Sequence, residues 1–119
     1  MKSSFKLVSF AATKHCMKDY IIIGAGQSGL AIAYYLHKQN VNYLVVDANT
    51  ETGAPWLKRW DSLKLFTPSE FNSLPGLKFP HEKGHYADKY EVADYLKSYV
   101  AAFNIPVEFN HKITSLKKE

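Results

Sequence analysis

Cysteine pairs and long apolar runs are both lacking in this chain of 119 residues. Its one cysteine, Cys16, has no partner for an internal disulfide, which excludes a disulfide-stapled domain and makes a reducing cytoplasm the expected compartment. No stretch approaches the roughly 18 apolar residues of a membrane-spanning helix, so we expect no membrane partner. The hydrophobic content of 46% and the aromatic content of 14% are instead typical of one small globular domain.

Acidic residues are lacking from the first 18 positions, and this absence accounts for the basic character of the chain. The four lysines of that stretch carry the whole net charge of +4, because the remainder holds 11 basic and 11 acidic residues. A chain whose body has no net charge and no basic stripe lacks the electrostatic footprint of a nucleic-acid-binding protein. We therefore expect no nucleic-acid partner.

The basic leader, residues 1–16, is expected to be a disordered leader or a start-site extension. Lys6 interrupts its apolar stretch, which is shorter than the core of a signal peptide, and it lacks the arginines of a mitochondrial presequence. Met17 stands just before the first predicted strand and is a candidate natural start. On this interpretation residues 17–119 are the folded part.

A glycine cluster follows the apolar run Ile21–Ile23 and organises the rest of the chain. Its residues are Gly24, Ala25, Gly26, Gln27, Ser28 and Gly29, with the spacing G-x-G-x-x-G. In a dinucleotide-binding turn the three glycines allow the tight turn, the approach of a pyrophosphate and the close packing of a helix on the sheet. The strand before such a turn is expected to be buried on both faces, and the pyrophosphate lies at the helix N-terminus.

The elements after the turn have the order of a βαβ unit. A helix is predicted over 28–39, with Asn40 as a left-handed terminator, and a strand over 42–46. Asp47 ends that strand, 18 residues after Gly29, where a carboxylate binds the adenosine ribose and repels a 2′-phosphate. The pattern predicts an α/β, Rossmann-like unit for FAD or NAD rather than NADP; the alternative is a glycine-rich turn with no ligand.

An irregular, aromatic segment over 51–68 is the next candidate region, because long loops of this kind are often functional. It contains Arg59, the only arginine of the chain, between Trp56 and Trp60. A guanidinium there suits stacking or bidentate phosphate recognition. The alternative is cation–π packing on a tryptophan with no ligand.

The segment His81–His85 reads H-E-x-x-H, the pattern of a zinc protease. That chemistry requires both histidines on one helical face, whereas Pro80 and Gly84 predict a loop. No third ligand follows at a convincing spacing. We expect two exposed loop histidines and no metal site.

A second long helix is predicted over 89–103. Asp88 and Glu91 have the spacing of a capping box at its start. Its apolar stripe, expected to lie in the core, consists of Val92, Leu96, Tyr99, Val100 and Phe103. Short strands are predicted after it, at 106–109 and 113–116.

Together, the glycine turn, Asp47 and the block from Trp56 to Pro68 resemble the N-terminal part of flavin-containing monooxygenase-like FAD/NAD(P)-dependent oxidoreductases. The most similar branch is the bacterial group labelled flavoprotein monooxygenases involved in potassium or cation transport. The resemblance implies that residues 17–119 are the N-terminal portion of an FAD/NAD(P)-binding domain, incomplete relative to the family. It also implies a small-molecule substrate, FAD in the glycine turn, and NADPH at a site outside this chain.

The same resemblance implies roles for single residues. The turn would hold the pyrophosphate and Asp47 the ribose, while Trp56, Arg59 and Asp61 would lie by the flavin or its phosphates. The chain departs from the family at Ala54 and Pro55, where family members carry a glycine and a serine before the tryptophan.

Two alternatives to a flavoprotein segment stay open. An NAD-binding Rossmann dehydrogenase or reductase fits the glycine motif and Asp47 equally well, although the tryptophan block argues against it. An inactive truncated fragment fits the length, because family chains are much longer. For this chain alone we expect no catalysis and weak or absent retention of FAD.

Overall fold

The computed structural model describes residues 5–8 and 18–118, and side chains within 18–115. Its elements in chain order are β1 (Phe5–Val8), β2 (Tyr20–Ile23), α1 (Gln27–Lys38), β3 (Tyr43–Val46), α2 (Ala54–Leu57), a 3-10 turn (Ser69–Phe71), α3 (Lys89–Phe103), β4 (Val107–Glu108) and β5 (Ser115–Lys118). The α/β class predicted from the sequence is confirmed. Among the described helices, none combines the length and apolar character needed to cross a membrane.

A parallel sheet with the order β2-β3-β4 forms the centre of the fold. Strands β2 and β3 pair in register from Tyr20 opposite Tyr43 to Ile23 opposite Val46, and α1 is the crossover between them. All four residues of the central strand β3 are buried, which is why the sequence there is continuously apolar. The predicted βαβ unit is therefore present.

Strand β2 is less buried than its sequence predicts. We expected both faces of Ile21–Ile23 to be covered, but 55% of Ile23 is exposed. The cause is position: β2 lies at the edge of the sheet, so a neighbour covers it along one side only. The expectation of a strand buried on both faces was wrong.

The main core lies between the sheet and the helices α1 and α3. Leu30 and Ala33 of α1 are fully buried there with Val45 of β3. The predicted apolar stripe of α3 is confirmed, with Val92, Leu96 and Tyr99 buried and Val100 and Phe103 packed partly buried against the same cluster.

Local sequence signals correctly predicted the C-terminus of α1 and the N-terminus of α3. Asn40 follows α1 with a φ of 54°, as predicted for a left-handed terminator. Asp88 caps α3, since its Oδ1 accepts a hydrogen bond from the Glu91 N–H at 2.9 Å. Only this one of the two reciprocal hydrogen bonds of a capping box is present, because the Glu91 carboxylate turns instead toward His81 and His85.

Part of the leader has a place in the fold. Phe5–Val8 pairs antiparallel with β5, with Phe5 opposite Lys118 and Val8 opposite Ser115. Whether residues 1–16 are a disordered leader or a start-site extension stays a prediction, although these four residues pair with β5. Most of that leader, including Cys16, lies outside the described residues, and so does Met17, the candidate natural start.

Candidate functional site

The glycine turn joins β2 to α1 with the geometry that its spacing predicts. Gly24 has a φ of +104°, which L-residues with side chains rarely adopt, and its N–H donates to the Val46 carbonyl at 2.7 Å. A Cβ at Gly29 would lie 2.1 Å from the Gly24 carbonyl oxygen. Gly24 is thus required for the turn and Gly29 for the close packing of α1.

Gly26 differs from its two neighbours in the motif. Its φ is −80°, and a Cβ there would meet nothing within 4 Å. Gly26 is the N-cap of α1 and offers no side-chain cap, so the first-turn N–H groups, including those of Gln27 and Ser28, have no intrahelical acceptor. The open space and these N–H groups are the features of an anion site.

Asp47 is tied to the glycine turn by hydrogen bonds that the sequence did not predict. Its Oδ2 accepts from the Ala25 N–H at 2.8 Å, and its Oδ1 accepts from Asn49 N at 2.8 Å and Asn49 Nδ2 at 2.7 Å. A carboxylate has about four acceptor positions, so capacity remains for a ribose hydroxyl. Asp47 therefore fixes the turn, and its role at a ribose stays a prediction.

A cavity of about 150 Å³ brings most of the predicted site residues together. Its lining comprises Ala25, Gly26, Gln27, Asp47, Gly53, Pro55, Trp56, Arg59 and Leu96. The Arg59 guanidinium lies 5.4 Å from the Trp56 ring centroid. Both interpretations of Arg59 are thus compatible with its position, since it stacks on a tryptophan and also lines the cavity beside the glycine turn.

An apolar hollow of about 200 Å³ adjoins this cavity and shares Gln27, Trp56 and Leu96 with it. Its remaining lining is Leu65, Asn72, Leu74, Phe79, Val92 and Tyr95. The cavity at the N-terminus of α1 and the apolar hollow thus share part of their lining. Such an arrangement suits a ligand with a phosphate at one end and an aromatic ring system at the other.

Asp61 does not lie with the other predicted site residues. Its side chain is 96% exposed, and its Oδ1 pairs with Lys89 Nζ at 3.0 Å. The interpretation of Asp61 as a residue beside the flavin or its phosphates is not supported by this placement. The ion pair explains its position, because it holds Asp61 against Lys89 in the first turn of α3.

Lys89 is the residue that sequence reasoning missed. Its side chain is only 4% exposed, and besides Asp61 its Nζ donates to the carbonyl oxygens of Leu57 at 3.2 Å and Arg59 at 2.7 Å. The hydrogen bond to Asp61 raises the pKa of Lys89, against the opposing effect of burial. The sequence did contain one signal for Lys89. The helix dipole disfavours a cation in the first helical turn, so a lysine there indicates a specific interaction.

Two tyrosines of α3 hold the wall of the apolar hollow. The Tyr95 hydroxyl accepts from Leu74 N–H at 2.8 Å and donates to the Leu77 carbonyl at 2.6 Å. The Tyr99 hydroxyl donates to the Pro75 carbonyl. Burial raises the pKa of Tyr95, and raises that of Tyr99 to about 12. The segment 74–77 is thus positioned by side chains from one helix.

The H-E-x-x-H segment is a loop, as predicted. The sequence showed no third ligand at a convincing spacing, but in the structure Glu91 of α3 lies against both histidines; the absence of a metal site stays a prediction from the sequence. His85 is also only partly exposed. His85 lies in a loop and Glu91 in α3. Because their separation crosses this loop-to-helix boundary, no helical spacing pattern predicted the contact between them.

Comparison with known proteins places this site in a family context. The sequence profile of the family described as pyridine nucleotide-disulphide oxidoreductase matches residues 21–119. This range contains the glycine turn, the cavity residues and both long helices.

Two curated relatives match over most of the chain. An uncharacterized CzcO-like oxidoreductase of Geobacillus kaustophilus is 43% identical over 101 residues, which are 85% of this chain and 29% of that protein. The probable indole-3-pyruvate monooxygenase YUCCA9 of Arabidopsis thaliana is 37% identical over 123 residues, covering 98% of this chain and 29% of its own length. The chain therefore spans less than a third of these relatives.

A solved structure gives the same result in three dimensions. The flavin-containing monooxygenase from Stenotrophomonas maltophilia is 37% identical and superposes with a TM-score of 0.70, over 75% of this chain and 27% of its own. The resemblance to flavin-containing monooxygenase-like oxidoreductases is confirmed by these matches.

Proposed function

Because the chain belongs to the pyridine nucleotide-disulphide oxidoreductase family, we propose that it is the FAD-binding N-terminal segment of an NAD(P)H-dependent flavoprotein oxidoreductase of the monooxygenase type. The observation that carries the proposal is that the cavity at the glycine turn and the apolar hollow lie side by side, with Gln27, Trp56 and Leu96 in the lining of both. FAD has both a diphosphate and a large aromatic ring system. A bare glycine-rich turn would need neither feature.

The residues of the cavity fit the adenosine diphosphate half of FAD. The open space at Gly26 and the first-turn N–H groups of α1 suit a pyrophosphate, with Ala25, Gln27 and Ser28 in the same turn. The remaining acceptor position of Asp47 suits a ribose hydroxyl. Arg59 supplies positive charge to the same cavity, where a guanidinium binds phosphate oxygens in a bidentate way.

When bound, FAD supplies the two-electron redox chemistry, and the chain's residues bind it, orient it and exclude water. Trp56 is in the lining of both the cavity at the glycine turn and the apolar hollow, which supports a position beside the cofactor. We assign no proton transfer to the cavity residues. NADPH and a small-molecule substrate are assigned to the rest of a longer flavoprotein, which we place in the cytoplasm.

A binding titration with FAD, NAD⁺ and NADP⁺ tests this proposal by calorimetry and by the fluorescence of the two tryptophans. We expect weak binding of FAD, weaker binding of NAD⁺, and the weakest of NADP⁺ because Asp47 repels its 2′-phosphate. Tighter binding of NAD⁺ than of FAD would favour the alternative, an NAD-binding dehydrogenase. If none of the three nucleotides binds, the result would favour the other alternative, an inactive truncated fragment.

A charge-matched pair of variants tests the role of Arg59. Arg59→Gln should weaken FAD binding about tenfold, the loss expected for one charge-assisted hydrogen bond. Lys58→Gln removes the same charge at the neighbouring exposed position and should leave the affinity unchanged. Equal effects of the two substitutions would show that Arg59 acts only by general attraction or by packing on Trp56.

Turnover is a separate question from binding. We expect no oxidation of NADPH by this chain alone, since it covers 29% of the relatives' length and NADPH is assigned to a site outside it. Spectrophotometric detection of NADPH consumption in the presence of FAD would contradict this expectation.

A further inference from the structure

A cluster of three ligand-type side chains lies outside the nucleotide cavity. His81 Nε2 is 3.0 Å and His85 Nε2 is 2.6 Å from the same oxygen, Glu91 Oε2. The two imidazole rings are nearly parallel, at 27°, with centroids 4.8 Å apart. Within the part of the chain whose side chains are described, this is the one group of three or more His, Cys, Asp or Glu residues whose donor atoms converge in this way.

We propose that His81, His85 and Glu91 form a binding site for a first-row divalent cation, with Zn²⁺ as the best-suited ion. Two imidazoles and a carboxylate are a donor set that Zn²⁺ accepts, with a fourth position left for water. Metal–ligand distances of about 2.0–2.2 Å place tetrahedral ligand atoms about 3.3 Å apart. The three donor atoms, all within 4.8 Å of one another, reach that spacing by small side-chain rotations.

Each ligand is held by a contact of its own. The backbone carbonyl of His85 accepts from Ser69 N at 2.7 Å and from Ser69 Oγ at 2.9 Å, and Ser69 is 1% exposed. Glu91 belongs to the capped first turn of α3. Because metal sites gain affinity when the surrounding contacts orient their ligands, this support favours a built site over a chance encounter of surface side chains.

His81 is held differently, by its backbone and a ring contact. Its φ is 96°, a conformation that costs free energy for a residue with a side chain and persists where surrounding structure enforces it. Its ring lies 5.8 Å from that of the buried Phe79. The loop thus places an imidazole at Glu91 despite unfavourable backbone geometry, as functional sites often do.

The cluster borders an open cleft of about 430 Å³. His81 and Glu91 line it together with Asp94 and Ser98, one and two turns further along α3, and Lys78 stands at the same cleft. Asp94 is three residues from Glu91 and lies on the same helical side. The cleft thus provides access for the ion and space for water or Asp94 at a fourth position.

Calorimetric titration with Zn²⁺ tests the proposal, in a His15→Ala, Cys16→Ser background because imidazole and thiolate groups of the leader also bind zinc. We expect one ion per chain. His85→Ala and Glu91→Gln should each weaken binding at least about tenfold, whereas His37→Ala, which removes a histidine exposed on α1, should not. Circular dichroism of each variant checks that the helices are retained.

A measurement without substitutions gives an independent answer. The competing arrangement is two neutral histidines that donate their Nε2 protons to one carboxylate, with no ion. Nitrogen-15 NMR distinguishes the two: we expect the Nε2 signals of His81 and His85 to shift on addition of one equivalent of Zn²⁺. Retention of both Nε2 protons in the presence of Zn²⁺, or binding that none of the cluster variants weakens, would overturn the proposal.

Discussion

Two neighbouring regions of the molecule are stabilised by different kinds of contact. The βαβ unit over 20–47 is held by backbone hydrogen bonds, through the parallel pairing of β2 with β3 and the bond from Gly24 N–H to Val46. The segment over 53–88 contains only α2 and one 3-10 turn as described helices or named strands. Besides apolar packing on the core, it is attached to α3 by side-chain hydrogen bonds from Lys89, Tyr95 and Tyr99.

The difference shows where the candidate site is robust and where it is vulnerable. The glycine turn belongs to the first region, so many repeated backbone contacts share the task of fixing it. Arg59 and the wall at 74–77 belong to the second region, and each depends on one or two buried polar groups. Substitutions can therefore damage one half of the cavity and leave the other in place.

The largest effect is expected from Gly29→Ala in the βαβ unit. The new Cβ would lie 2.1 Å from the Gly24 carbonyl oxygen, a backbone atom, and 3.2 Å from Ile22 Cγ2. Relief requires α1 to move away from the turn, which should lower the free energy of unfolding by about 3 kcal/mol. Urea denaturation followed by circular dichroism measures the loss.

Gly26→Ala is the matched control for this prediction, because a Cβ there meets no atom within 4 Å. It should change stability by about 1 kcal/mol or less and yet weaken FAD binding, since the methyl group occupies the proposed pyrophosphate site. Equal stability losses for the two glycines would show that the turn is not packed as described.

An intermediate effect is expected from Lys89→Met in the second region. The change leaves the Leu57 and Arg59 carbonyls without the donor that now reaches both, which should cost about 2 kcal/mol. Hydrogen exchange should accelerate at the backbone amides of 57–65 and remain slow in β3. Uniform acceleration across β3 as well would contradict the separation of the two regions.

The smallest effect at neutral pH is expected from Tyr99→Phe. Loss of the hydrogen bond to Pro75 should cost about 1 kcal/mol. Because burial raises the folded-state pKa of Tyr99 from 10.0 to about 12, the unfolded chain loses its proton first as the pH rises. Wild-type stability should therefore fall between these values, and urea midpoints of the variant should fall less steeply over the same range.

Local sequence signals predicted the regular parts of the fold. The glycine spacing, the apolar run at 43–46 and the αL position at Asn40 each act within a few residues, and the structure contains all three features. The cap at Asp88 is of the same kind. Six residues of the cavity lining were predicted as cofactor-binding: Ala25, Gly26, Gln27 and Asp47 from the nucleotide-binding pattern, and Trp56 and Arg59 from the family resemblance.

The unpredicted features depend on contacts between distant positions. The exposure of Ile23 follows from the place of β2 in the sheet, and the pairing of Phe5–Val8 with β5 joins the two ends of the chain. The clamp from Lys89 to Arg59 spans 30 residues. The approach of Glu91 to two loop histidines depends on how that loop lies against α3. No local pattern encodes such distances.

The hydrogen bond between Asp47 and Ala25 has a consequence for the nucleotide preference that we propose for this chain. If Asp47 repels a 2′-phosphate as we propose, the same carboxylate also anchors the glycine turn, so nucleotide selectivity is coupled to the shape of the turn. Replacing Asp47 with a smaller or basic residue, to admit NADP, would also release the Ala25 N–H. Such a switch, whether in evolution or by engineering, therefore requires a second, compensating substitution that provides a new acceptor for this N–H.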